Sequence, residues 1–222
     1  MYIFFEYLVG LIDFLPLVIL LIVRSTRFRL INLYLLDLFI FKVAVPVLGY
    51  TLIFMNHDQY NLNSIVQNTY TILYFLIVSK LYKSILGEHF SNYFQIGNIM
   101  FLCSFILSFI WFDFRNYLFN YTVSTVNVVF IIYGILYFRS FRNNFVVGEF
   151  NNYFWLNIAL LTYNVCMLPA MVFDRIIMLD SWGTVQEMLW SIVLLSNLLY
   201  NIFICVFLFE ARLMKEEQFD SL

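Results

Sequence analysis

This chain of 222 residues contains seven long apolar runs, and each run is long enough to cross a lipid bilayer as a helix. A membrane-spanning helix needs roughly 20 mainly apolar residues, whereas a spanning β-strand needs ~10 residues that alternate apolar and polar. The runs here are continuous, which favours helices. We predict an all-α fold, a polytopic transmembrane bundle of seven helices, with spans at about 3–23, 30–55, 64–86, 94–113, 117–138, 151–173 and 185–209.

The composition excludes whole classes of function. Hydrophobic residues make up 63% of the chain and charged residues 12%, about half of the usual ~25%. A soluble domain of this length has no way to hide that much apolar surface. Soluble enzymes and disordered segments are therefore excluded. Nucleic-acid binders are excluded with them, and the net charge of −2 offers nothing to attract a nucleic acid.

The loops between the predicted spans are too short to fold as separate domains. Residues 1–222 therefore form a single transmembrane domain, and any function lies within the bundle, at its short loops or on a partner. The tail at 210–222 should extend span seven as a helix. It should fray near Glu216 and Glu217, because acidic side chains near a helix C-terminus oppose the helix dipole.

Lysine and arginine set the predicted orientation, because cytoplasmic loops are enriched in both. Nine of the 12 basic residues fall on one side, two on the other, and Lys42 falls inside a span. The nine are Arg24, Arg27, Arg29, Lys80, Lys83, Arg139, Arg142, Arg212 and Lys215; the two are Arg115 and Arg175. The amino end is therefore predicted outside, and the carboxyl end with its tail in the cytoplasm.

The sequence argues against metal and cofactor chemistry. Its two histidines, His57 and His89, lie in loops predicted on opposite faces, so neither a three-histidine zinc site nor a paired-histidine haem site can form. The seventh span carries no lysine for a retinal Schiff base, and no phosphate-binding glycine-rich loop or nucleophile motif occurs. We predict no metal and no cofactor, and favour a role other than catalysis.

Three ionisable side chains fall inside predicted spans, where charges are costly and mark candidate functional sites. They are Asp13 in span one and Asp37 and Lys42 in span two. Counting from the span ends puts Asp13 and Lys42 near the midplane, so we predict an ion pair between them, with Asp37 about one turn deeper. This charge cluster is either a structural staple or a proton or ligand relay.

Further polar side chains recur three, four or seven residues apart, which puts each set on one helix face. In lipid such faces turn inward, either to bond helices together or to line a pocket entered from the outer side. The predicted pocket residues are Gln67, Tyr70 and Tyr74 of span three, Asn120, Ser124 and Asn127 of span five, Asn157 and Asn164 of span six, and Glu187, Trp190, Asn197 and Asn201 of span seven.

Four ordered fragments carry a family resemblance: QNTYTILY at 67–74, ILYF at 135–138, YFW at 153–155 and NLLYNI at 197–202. With them the chain resembles a group of short seven-helix membrane proteins of unassigned function that are common in Bacteroidota bacteria. The resemblance covers most of the chain. It implies a bacterial inner-membrane protein with an extracytoplasmic amino end, and it transfers no catalytic residue.

The leading functional hypothesis is a membrane sensor or signalling protein that binds a small or lipophilic ligand and passes a helix shift to a partner. An accessory subunit that packs against a membrane-protein partner, or a homo-oligomer, fits the same features. The alternative is a transporter or channel component that uses Asp13, Asp37 and Lys42 as an ion or proton path. A lipid-modifying enzyme ranks third, because no metal site or evident nucleophile supports it.

Overall fold

The computed structural model describes residues 2–23, 34–40, 42–45, 47–48, 60–111, 120–143, 153–177 and 183–220. All of them but the turn residue Gly87 are helical, and no strand occurs in these ranges, which confirms the predicted all-α class. The helices are α1 (Tyr2–Val23), α2 (the helical residues 34–40, 42–45 and 47–48), α3 (Tyr60–Leu86), α4 (Ser91–Trp111), α5 (Asn120–Asn143), α6 (Phe154–Ile177) and α7 (Gly183–Asp220).

The helix bounds follow the apolar runs, although α3 begins before its predicted span and α5 and α6 end beyond theirs. Helix α7 is 38 residues long and ends at Asp220, so the predicted extension of span seven is confirmed. The predicted fraying near Glu216 and Glu217 is wrong, since both residues are helical. The glutamates, lysine and leucine of this segment are strong helix formers, and their combined preference outweighs a dipole term of about 0.3–1 kcal/mol.

Four of the described helices are long and apolar enough to cross a membrane: Glu88–Trp111, Asn120–Ser140, Phe154–Phe173 and Glu187–Glu210. A shorter apolar helix covers Ile12–Ile22. One face of α4 presents large apolar side chains, each more than half exposed: Ile96, Ile99, Leu102, Ile106, Phe109 and Ile110. Such a continuous exposed apolar surface is foreign to soluble monomers and typical of proteins embedded in a membrane.

Among the described elements, helices α6 and α7 pack against each other most extensively, with α1 packed against α7 and α5 against α6. Helix α5 also contacts α3 and α4. It therefore lies between α6 on one side and α3 and α4 on the other. Stacked and edge-on rings hold α3, α4 and α5 together: Phe75 stacks on Phe101 at 4.1 Å and on Phe130 at 5.7 Å, and Tyr74 meets Phe130 edge-on at 5.4 Å. Each aromatic pair contributes about 0.5–1.5 kcal/mol beyond its area burial.

Gly87 makes the tight turn between α3 and a short 3₁₀ helix at Glu88–Phe90 that leads into α4. Its backbone angles, φ 75° and ψ −174°, lie in a region that only glycine adopts readily. Its N–H donates to the Lys83 carbonyl at 3.0 Å, which satisfies one of the last carbonyls of α3. The turn returns the chain so that α4 contacts both α3 and α5.

Gly97 lets α4 approach α5, and replacing it should destabilise the fold. A Cβ at this position would collide with the buried Tyr133 hydroxyl and lie 3.0 Å from Val129 Cγ1. We expect Gly97→Ala to lower the free energy of unfolding by about 1–3 kcal/mol, measured by thermal or denaturant unfolding in lipid nanodiscs. Adding Tyr133→Phe should restore most of the loss, because that hydroxyl has no hydrogen-bond partner within the described residues.

Asn98→Ala is the matched control, since Asn98 is the exposed neighbour on the same helix. Equal stability of Gly97→Ala and Asn98→Ala would contradict the close approach of α4 to Tyr133.

Candidate ligand site

A buried ion pair joins α1 to α2. Lys42 Nζ lies 3.0 Å from Asp13 Oδ1, and the two side chains are 10% and 13% exposed. The depth estimate from the sequence put these two residues opposite each other, and the structure brings them into contact. Asp37, the third residue of the predicted charge cluster, has an exposed side chain. Asp37 lies five positions from Lys42, which separates the two residues by roughly 140° around a helix. Of the three predicted charges, only Asp13 and Lys42 therefore lie together in the structure.

Two asparagines of α7 bind the same carboxylate. Asn201 Nδ2 donates to Asp13 Oδ1 at 2.7 Å, and Asn197 Nδ2 lies 3.0 and 3.2 Å from the two carboxylate oxygens. The two amides share a helix face because four residues separate them. Hydrogen bonds to an ionised acceptor are roughly twice as strong as neutral ones. The carboxylate therefore ties α1 firmly to α7 as well as to α2.

The Lys42 ammonium contacts three partners. Besides Asp13, its Nζ lies 3.2 Å from Asn201 Oδ1 and 4.0 Å from the centroid of the Tyr200 ring. A cation over an aromatic face is attracted by the ring quadrupole, by up to about 2 kcal/mol where it is desolvated. The capacity of this cation is therefore used inside the protein.

A cavity of about 180 Å³ adjoins the ion pair. Five helices contribute to its wall: α1, α2, α3, α6 and α7. The lining residues are Asp13, Lys42, Val45, Gln67, Tyr70, Tyr163, Met167, Val193, Leu194 and Asn197. Aliphatic and aromatic walls with a few convergent polar groups are what small-molecule sites usually present.

Three polar side chains of this wall keep spare hydrogen-bonding capacity. The Gln67 amide and the hydroxyls of Tyr70 and Tyr163 donate to and accept from no other side chain in the described part of the chain. Ring contacts hold the two tyrosines in place: Tyr70 stacks on Tyr74 at 5.8 Å, and Tyr163 meets Tyr200 at 5.4 Å. These groups are available to a bound molecule.

Other predicted pocket residues bond helices together instead. Asn164, fully buried, donates through Nδ2 to the Leu160 carbonyl at 2.6 Å and to the Tyr74 hydroxyl at 3.4 Å. Asn157 accepts from the Tyr82 hydroxyl at 3.0 Å and donates to the Gly134 carbonyl at 3.3 Å. The Leu160 bond lies within α6, while the other three join different helices. Such interhelical bonds are worth about 0.6 kcal/mol each in a membrane. They link α6 to α3 and α5, and none of the three side chains Tyr74, Asn157 and Asn164 lines the cavity.

The remaining predicted pocket residues whose side chains are described do not line the cavity. Asn120 and Asn127 are buried in α5 and Ser124 is partly buried, but none of the three belongs to the cavity wall. Glu187 is exposed on α7. The side chain of Trp190 falls outside the described residues. Of the predicted pocket set, the structure thus gathers Gln67, Tyr70 and Asn197 around the cavity, with Asn201 bound to the ion pair beside them.

Sequence reasoning missed two aromatic residues that shape the site. Tyr200 lies under Lys42, and Tyr163 forms part of the cavity wall. A signal for Tyr200 was present, because it lies three residues after Asn197 and so on the same face of α7. Tyr163 carries no comparable signal, since it precedes the selected Asn164 by one residue and points elsewhere around the helix.

The described residues hold no group of three His, Cys, Asp or Glu side chains placed to bind a metal ion. Comparison of the chain with protein-family models, with curated proteins and with solved structures gives no match.

Removing one partner of the ion pair should cost more than removing both. Lys42→Met leaves the Asp13 carboxylate buried without its cation, and we expect a loss of about 3–5 kcal/mol in the free energy of unfolding. Lys42→Met with Asp13→Asn removes both charges, and an amide in place of the carboxylate still accepts from Asn197 or Asn201. The double variant should therefore recover most of the loss.

Unfolding in nanodiscs measures both variants, with Lys80→Met and Asp37→Asn as controls, since Lys80 and Asp37 are exposed. Lys42→Met as stable as Lys80→Met would show that the pair does not hold the helices together.

Proposed function

We propose that this chain is an integral membrane sensor or signalling protein, or an accessory subunit, that binds a small or lipophilic ligand in the cavity beside Asp13 and Lys42. One observation carries the proposal: five helices meet around a cavity whose wall includes the residues that tie α7 to α1. A structural staple alone needs the ion pair but not the adjoining space.

Helix α7 supplies the route from ligand to output in this proposal. Asn197 both lines the cavity and donates to the Asp13 carboxylate. The same helix continues through the apolar stretch that ends at Glu210 and on to Asp220. A ligand that displaces Asn197 changes the hydrogen bonds holding α7, and the displacement reaches the carboxyl end as a rigid-body shift. Shifts of 1–2 Å in packed helices are a common form of switching.

We further propose that the helices form a seven-helix bundle in a bacterial inner membrane, with the amino end outside. The distribution of lysine and arginine supports this orientation, as does the resemblance to short Bacteroidota membrane proteins. In this orientation the cavity lies between the ion pair and the outer surface, because Gln67 follows the start of α3 and Leu194 lies in the first half of α7.

The transporter alternative is less well supported. A proton or ion path through Asp13, Asp37 and Lys42 needs the three groups in line, whereas Asp37 is exposed and the Lys42 donors are occupied within the protein. Proton flux into liposomes carrying the purified protein tests it. If the chain is a transporter, the unaltered protein carries a proton flux that Asp13→Asn loses. If it is a sensor, the unaltered protein and Asp13→Asn both show only background leak.

Fusion proteins test the orientation. Alkaline phosphatase is active only outside the cytoplasm, so its fusion after Leu222 should be inactive, while green fluorescent protein at the same position should fluoresce. Phosphatase inserted after Asp58, between predicted spans two and three and before the start of α3, is the control and should be active. The reverse pattern at the two positions would contradict the proposed orientation.

Filling the cavity should abolish ligand binding. Leu194 lines the cavity, whereas Leu195 is 56% exposed on the same helix, so Leu194→Trp and Leu195→Trp form a matched pair. In a thermal-shift screen of fragments with up to about 12 heavy atoms, bound compounds at 100 times Kd should stabilise the protein by about 2.7 kcal/mol. The stabilisation should persist in Leu195→Trp and vanish in Leu194→Trp. The site would be refuted if the fragments stabilised the unaltered protein and both variants equally. It would also be refuted if no fragment stabilised the unaltered protein.

A further inference from the structure

The cavity wall is electrically balanced, and this limits the charge of what it can bind. Its lining includes one carboxylate and one ammonium among the described residues, and these two groups lie 3.0 Å apart. A charged ligand entering this cavity would lose its hydration and meet no free counter-charge. To pair with Asp13 or Lys42 it would have to separate the two, which would leave the other residue as an unpaired buried charge.

Both members of the pair are also engaged by neutral groups. Lys42 has Asn201 and the Tyr200 ring besides Asp13, and Asp13 accepts from Asn197 and Asn201. An anion would compete with three partners for Lys42, and a cation would compete with Lys42 and the two asparagine amides for Asp13. The wall therefore disfavours ions of either sign.

The cavity wall also carries neutral polar groups with unused hydrogen-bonding capacity. The Gln67 amide can both donate and accept hydrogen bonds, as can the hydroxyls of Tyr70 and Tyr163. None of the three groups makes a side-chain hydrogen bond within the described residues. Val45, Met167 and Leu194 supply apolar contact. A hydroxyl, carbonyl or amide group attached to an apolar body matches both parts of this wall.

The volume sets the size of that body. A dry cavity of roughly 150 Å³ holds one benzene ring, so about 180 Å³ holds one ring with a substituent of one or two heavy atoms. A longer amphiphile would place only its head group here.

Building on the proposed function, we infer that the ligand is a small uncharged molecule, or the head group of an uncharged amphiphile, that binds through a hydroxyl, carbonyl or amide group to Gln67, Tyr70 and Tyr163. The Asp13–Lys42 pair stays intact on binding and excludes ions.

Three probes that differ in charge and by at most one heavy atom in size test the inference: benzyl alcohol, benzoate and benzylammonium. Each is titrated at pH 7 into nanodiscs carrying the full chain, and binding is followed by saturation-transfer NMR. Nanodiscs with Leu194→Trp measure partition into lipid, which is subtracted. We expect benzyl alcohol to bind at least ~10-fold more tightly than either ion, because an unpaired buried charge costs several times a hydrogen bond.

Conservative variants test the polar contacts without relying on the filled cavity. Gln67→Leu and Tyr70→Phe should each weaken benzyl alcohol binding about 2- to 10-fold, the worth of one hydrogen bond, and leave toluene binding unchanged. Tyr93→Phe is the control, because Tyr93 is exposed on α4. Equal effects on toluene and benzyl alcohol would overturn the assigned contacts.

The outcomes separate this inference from the proposed function. Tighter binding of benzoate or benzylammonium that Leu194→Trp removes overturns the neutral class and leaves a ligand site in place. Absence of Leu194-dependent binding for every probe also overturns the inference. In that case the fragment screen decides the proposed function: Leu194-dependent hits preserve it, and their absence removes it.

Discussion

A carboxylate and an ammonium with little access to water constrain everything around them. Burying either Asp13 or Lys42 alone would cost several kcal/mol, so α1 and α2 must bring the two charges together. Contact alone leaves lone pairs and donors unsatisfied, and α7 supplies the amides of Asn197 and Asn201 that complete the arrangement. The Tyr200 ring covers the remaining side of the ammonium. The relative positions of three helices thus follow from the needs of one ion pair.

The polar residues of the interior divide into two groups by what they bind. Asn157, Asn164 and Tyr82 are engaged with other helices, and they act together with the aromatic contacts of α3, α4 and α5. Gln67, Tyr70 and Tyr163 line the cavity with unused capacity. Structural and ligand-binding roles therefore belong to different residues of the same chain, and they meet at Asn197, which lines the cavity and also ties α7 to Asp13.

The sequence was enough to predict those features that depend on one helix at a time. Apolar run length predicted the helices, counting from span ends paired Asp13 with Lys42, and four-residue spacing put Asn197 and Asn201 on one face. Features that depend on how two helices are rotated against each other were not accessible. Periodicity shows that Asn120, Ser124 and Asn127 share a face, but not that this face lies outside the wall of the cavity beside the ion pair. Asp37 was grouped by depth alone, and its rotation away from Lys42 puts it at the surface.

Electron density from crystals grown in lipid, with protein purified directly from its membrane, tests the central claim most directly. The account predicts non-protein density larger than a water molecule between Gln67, Tyr70 and Leu194, with the Asp13–Lys42 contact intact beside it. A cavity closed by its own side chains, with the Gln67 amide and the tyrosine hydroxyls bonded to protein groups, would contradict it.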